Sequence, residues 1–232
     1  MEMIQNADFW IGLMKIIWIN IILSGDNAVV IALAARSLPE HQQRQAILFG
    51  SGAAVVLRIA LTVVAAALLE LSYLQIIGGL LLLYIGAQLL SEDGDEDEGE
   101  VEKASLFAAI RTILIADIVM SLDNVIAVAA AAKGNMTLLI LGLAISIPMV
   151  IFGSAIMIKL MTRFPIIVTF GACLIGWVGG ETIASDVALR EFAAENPWLH
   201  YAAATAGALS VLAIGKYFQT KHGTTEENNE AA

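Results

Sequence analysis

The chain has 232 residues, of which 59% are hydrophobic and only 15% charged, against roughly a quarter charged in an average soluble domain. Its formal net charge of −10 is unevenly spread: eight carboxylates lie between Glu92 and Glu102 and three more between Glu226 and Glu230. No basic patch exists to neutralise phosphates, which excludes nucleic acid as a partner, and the lone Cys173 excludes an intramolecular disulfide framework.

Apolar runs of about twenty residues, the helical length that crosses a hydrocarbon core, recur along nearly the whole sequence. In chain order seven are predicted, at about 9–35, 46–69, 74–90, 106–132, 138–160, 166–184 and 199–218. The runs are continuous and lack the apolar–polar alternation of membrane strands. The expected fold class is therefore all-α: one polytopic membrane domain of seven transmembrane helices, with the lipid bilayer as its surroundings. Met1–Asp8 carries no positive side chain, and the run that follows is too long for a signal-peptide core, so the first span is read as a membrane helix. Residues 91–104 read as a solvated acidic linker, 219–232 as a disordered tail, and Cys173 as a small packing residue. With the N-terminus outside, the inner side holds Arg36, Arg44, Lys103, Arg111, Lys159, Arg163, Lys216 and Lys221, and the outer side only Lys133 and Arg190. The excess of basic residues on the inner side places the C-terminus and the acidic linker in the cytoplasm.

Two of these spans share a polar motif. Ser24-Gly25-Asp26-Asn27 lies in the first and Ser121-Leu122-Asp123-Asn124 in the fourth. Aligning 21–36 with 118–133 at an offset of 97 gives seven identities in sixteen positions and sets Asn20 opposite Asp117. The third and sixth spans also align, Gly78 with Gly171, Tyr84 with Trp177, Gly86 with Gly179 and Gln88 with Glu181. Repeat 1 then covers about 9–90 and repeat 2 about 105–184, three spans each. Because three is odd, the second half enters from the opposite side, giving a 3+3 inverted repeat plus a seventh helix for packing or for a homo-oligomer contact. Folds of this plan place their sites near the midplane, between the halves.

An intramembrane carboxylate costs roughly 2.5–3.5 kcal/mol at a helix centre on insertion scales, and a bound cation is the simplest offset for two of them. Asn20, Ser24 and Asn27 share one helical face at i, i+4 and i+7, as do Asp117, Ser121 and Asn124. Gly25 favours local unwinding in the first copy, whereas Leu122 gives the second less reason to open. The expected metal site comprises Asp26, Asn27, Asp123 and Asn124, with Asp117, Asn20, Ser24, Ser121 and Glu181 as further ligands or proton carriers. Such an oxygen-rich set suits manganese, magnesium or calcium better than zinc or copper. Converging like charges would titrate together, so metal and proton are expected to compete for the same carboxylates. Arg58, mid-span, needs a carboxylate or carbonyl partner and reads as half of a structural salt bridge. Met120 reads as packing, Glu70 as a solvated rim residue, and Lys15 as a snorkelling one.

The paired motifs, the seven spans and the stretches Ser146-Ile147-Pro148 and Arg163-Phe164-Pro165 together resemble the TerC family of membrane proteins, over about 9–218. The subgroup it looks most like is the YjbE-like one, and the family is grouped with the LysE-type exporters. The resemblance implies manganese export, where the residues alone imply only a hard divalent cation, and it carries the family's historical association with tellurium resistance. The family's acidic positions fall on Asp26 with Asn27 and on Asp123 with Asn124, and less directly on Asp117 and Glu181. The expected function is a secondary transporter exporting divalent metal, manganese first, with no prosthetic group and no enzymatic activity. Alternatives are a non-transporting membrane factor for stress or insertion, and an exporter of another substrate such as calcium. The absence of a phosphate-binding Gly-rich loop argues against direct ATP drive.

Overall fold

A computed structural model describes residues 7–22, 25–68, 71–91, 102–132 and 135–230. Ser24, Glu70 and most of the acidic linker lie outside the described residues, as do the side chains of Asn20 and Asp123. The described residues are helical: α1 Ala7–Ile22, α2 Gly25–Ala35, α3 Glu40–Leu68, α4 Leu74–Ser91, α5 Glu102–Ala132, α6 Met136–Arg163, α7 Ile166–Ala184, a 3₁₀ turn Val187–Leu189, α8 Arg190–Glu195 and α9 Trp198–Glu230. Five helical segments are long and apolar enough to cross a membrane: Glu40–Val64, Leu74–Ser91, Thr137–Arg163, Ile166–Ala184 and Trp198–Thr220. They match the predicted spans at 46–69, 74–90, 138–160, 166–184 and 199–218. The remaining two predicted spans are the motif-bearing ones. One is described as α1 and α2, on either side of residues 23–24, which lie outside the described residues; the other lies within the 31-residue α5. α9 extends beyond the predicted end at 218, since each added residue contributes a backbone hydrogen bond once a helix is nucleated.

Large apolar side chains cover the exterior, among them Trp18, Phe49, Phe152, Phe170 and Tyr201, each more than half exposed. A soluble monomer rarely exposes so much apolar surface; a multi-pass membrane protein does so because lipid covers it.

Glycines set the helix contacts. A methyl at Gly12 would meet Leu138 at 2.8 Å, and one at Gly142 would meet Ile16 at 2.3 Å, so α1 and α6 run parallel. The methyl of Ala28 lies 3.4 Å from the same kind of position at Gly153, which carries α2 further along α6 beyond Pro148. Ile113 of α5 seats on Gly50 of α3 in the way Ile16 seats on Gly142. The pair α4 and α7 runs antiparallel, with Gly79 against Gly179 and Gly86 against Ala172. The last helix packs within the same chain: Gly176 and Gly180 of α7 abut Gly207 and Ala203 of α9, and Leu90 of α4 rests on Gly215.

Polar groups tie off the helix ends. Arg36 donates to the Leu89 carbonyl at 2.8 Å and Gln219 to that of Leu90 at 2.7 Å, satisfying carbonyls left open at the end of α4. At the other end of α4, the carboxylate of Asp186 accepts from the backbone N–H groups of Tyr73 at 2.9 Å, Gln75 at 3.0 Å and Ile76 at 3.2 Å. It also caps the 3₁₀ turn through the Ala188 N–H at 2.8 Å. Tyr73 holds a left-handed φ of 71° there, an uncommon conformation for a bulky residue. Sequence reading missed Asp186, because its donors lie more than a hundred residues away.

Candidate cation site

Of the first motif, Gly25, Asp26 and Asn27 lie at the described start of α2, and Ser24 lies outside the described residues. Asp26 stands in the first turn of α2, where the helix dipole favours an anion. Its Oδ1 accepts from the Asn27 N–H at 2.8 Å. Asp26 is half-buried and Asn27 buried. The second motif sits inside α5 with no break between helices, as Leu122 in place of Gly25 led us to expect. Ser121 is fully buried and Asn124 half-buried. The backbone of Asp123 belongs to the same helix.

α2, α3, α5 and α6 pack on one another, and a closed polar group lies between α3 and α5. Arg58 forms an ion pair through Nη2 with Oδ1 of Asp117. Its Nε donates to the Ser121 hydroxyl at 2.9 Å, and that hydroxyl donates to Oδ2 of Asp117 at 3.2 Å. Both charged partners are about 95% buried, so each needs the other: removing one from such a pair leaves an uncompensated charge. Arg58 thus has the carboxylate partner that the sequence demanded. Asp117, expected among the ligands, has both carboxylate oxygens engaged by protein. The motif-bearing helices α2 and α5 pack on each other, and both pack on α3.

Other expectations fare differently. Glu181 is exposed on α7 and does not join the buried polar group. Its register with Gln88 marks an outward face, which helix periodicity alone could not distinguish from an inward one. Met120 is buried in the apolar core, as a packing residue would be. Lys15 stands on the exposed face of α1 in an apolar groove of about 530 Å³ with Trp10, Met14 and Trp18, apart from the motifs. Among the described residues, no three acidic, His or Cys side chains cluster closely enough to bind a metal.

Residues 5–223 match the family described as integral membrane protein TerC. The chain belongs to the TerC family. It is 45% identical over 192 residues to the uncharacterized membrane protein YjbE of Bacillus subtilis, covering 83% of this chain and 88% of that one. Identity to the uncharacterized membrane protein YkoY of Bacillus subtilis is 26%, over 79% of this chain and 62% of YkoY. To the UPF0053 inner membrane protein YoaE of Escherichia coli K12 it is 25%, over 79% of this chain and 39% of YoaE. No solved structure matches the chain. This TerC-family chain is thus a multi-pass membrane protein, helical throughout the described residues, with a buried Arg58–Asp117 ion pair between α3 and α5.

Proposed function

We propose that this chain is a secondary transporter that exports divalent metal cations, manganese foremost, from the cytoplasm in exchange for protons. The observation that carries this reading is the buried Asp117–Arg58–Ser121 group among apolar helices, on α3 and α5, against which the Asp26-bearing α2 packs. Ionisable residues at such depth are costly and mark ion pathways. Asp26 and Asp123 are the charged ligands, Asn27 and Asn124 supply amide oxygens, and Asn20, Ser24 and the carbonyls near Gly25 complete an oxygen shell. A shell of this kind suits manganese, magnesium and calcium alike, and the choice of manganese rests on the resemblance to TerC exporters. The same resemblance supports placing the chain in a YjbE-like subgroup and among LysE-type exporters.

Two packing facts support an inverted repeat. The first span runs along the fifth with Ile16 on Gly142, and the fourth along the second with Ile113 on Gly50; 16 and 113 differ by the offset of 97 found in the motifs. The third and sixth spans, α4 and α7, meet antiparallel through Gly79 and Gly179, as a pseudo-two-fold axis in the membrane plane requires. The basic residues of the loops support an outer N-terminus and a cytoplasmic C-terminus, and YoaE is named an inner membrane protein.

The decisive measurement is manganese flux into proteoliposomes across a pH gradient, with calcium and magnesium as competitors. Asp26→Asn is expected to reduce flux at least tenfold, on the order of 1.4 kcal/mol or more of lost stabilisation. Undiminished flux would sink the proposal.

A further inference from the structure

Resting on that transport reading, we propose that Arg58 is a resident counter-ion that withdraws Asp117 from the metal shell, leaving the cargo to the two motif aspartates. Asp117 then serves to keep the guanidinium off the pathway, and both are positioning residues. Three observations converge on this.

The first is engagement. Oδ1 of Asp117 is held by the Arg58 guanidinium and Oδ2 by the Ser121 hydroxyl, while Ser121 in turn accepts from Arg58 Nε. Each oxygen keeps one further acceptor position, but the guanidinium already offsets the charge that a metal ligand would supply. The second is charge balance. Arg58 and Asp117 cancel, so the charge left for cargo is that of Asp26 and Asp123, equal and opposite to a divalent cation.

The third comes from the other half of the molecule. Ile113 on Gly50 and Ile16 on Gly142 set the register of the two equivalent helix contacts. In that register Asp117 corresponds to Asn20, and Arg58, eight residues after Gly50, corresponds to Val150, eight residues after Gly142. The cation and the anion are therefore both replaced, together, by neutral residues in the sister interface. By sequence the two positions change together, whereas a buried guanidinium left without its carboxylate would repel an incoming metal.

The test compares manganese uptake by the full chain in proteoliposomes for wild type, Asp117→Asn, and the doubly neutral Arg58→Met/Asp117→Asn, with Asp26→Asn as reference. The single variant leaves a buried guanidinium unpaired and is expected to raise the apparent KM for manganese by at least about tenfold, or to fail to assemble. The double variant is expected to elute as a single species in detergent and to return KM to within about fivefold of wild type, with the rate falling no further. A double variant whose KM stays beyond that limit makes Asp117 a ligand and overturns the proposal. So does one that fails to assemble, since a neutral pair would then not pack there, and so does a single variant with wild-type KM. If Asp26→Asn keeps full flux, the transport reading itself fails; if only the double variant misbehaves, that reading stands and the counter-ion assignment alone is lost.

Discussion

Replacing Asp186 by alanine isolates the largest energetic contribution that sequence reading overlooked. Four backbone N–H groups converge on this one carboxylate, three from the start of α4 and one from the 3₁₀ turn after α7. Loss of the local cap on Ala188 costs about 1 kcal/mol by comparison with other N-caps. The three remaining donors contribute about 1 kcal/mol each net, somewhat less where water reaches the first turn of α4. Asp186 has no exposed surface of its own yet sits at the periphery of the bundle, so partial resolvation is expected and the sum settles at about 2–4 kcal/mol. Burial alone would raise its pKa, but the four N–H bonds more than offset this and hold the carboxyl below its usual range. A depressed folded-state pKa contributes stability that is fully present above the unfolded value near 3.9 and is lost as pH falls through the folded one. Equilibrium unfolding of the detergent-solubilised protein should therefore show a deficit for Asp186→Ala that is constant near neutrality and shrinks in acid, below about pH 4. A loss under about 1 kcal/mol at pH 7, or a deficit that grows in acid, would refute the reasoning.

Two further outcomes follow from the glycine contacts, beside the flux tests already described. Gly207→Ala places a methyl 2.1 Å from the Gly176 carbonyl oxygen, so α7 and α9 must separate, at about 1–3 kcal/mol by analogy with overpacked cores. Gly25→Ala, with nothing among the described residues within 4 Å of the added methyl, is the steric control, and thermal unfolding should separate the two variants clearly. Ile16→Ala and Ile113→Ala each empty a fully buried site facing a glycine, and each should cost about 2–5 kcal/mol. If the two sites are equivalent, their costs agree within about 1 kcal/mol, and a wider gap in denaturant titrations counts against the repeat.

Hydrophobic run length disclosed most of the helices because lipid exposure and helix interior demand the same residues, and no turn chemistry competes over 166–184 or 74–90. Partnership was harder to read. Arg58 announced its need for an anion, but the choice of Asp117 depends on how far α3 slides along α5, and that is set by Ile113 seating on Gly50. Asp186 gave still less warning: an acid in a short polar connection looks solvated until the start of α4 is known to abut it. Glu181 lies on the exposed side of α7, and in an apolar helix with polar residues so sparse, periodicity does not say which side faces inward.

On the inverted-repeat reading, the halves pair alike at one contact and differently at another, and the difference has a size. Gly78 and Gly171 are register partners, and each receives a valine from the motif-bearing span of the opposite half: Val119 at Gly78, Val29 at Gly171. At the offset of 97, Val119 corresponds to position 22, seven residues from Val29, which is two helical turns or about 10 Å of travel. The contacts of the motif spans with α3 and α6 keep their register, while those with α4 and α7 do not. On the transporter reading, that difference lies where alternation needs it. Exchanging the two registers would slide the α4–α7 pair past the motif spans without disturbing the Ile16–Gly142 and Ile113–Gly50 seats. Arg58 and Asp117 sit across one of those undisturbed contacts, which is where a counter-ion pair must be if its charges are to cancel in both arrangements.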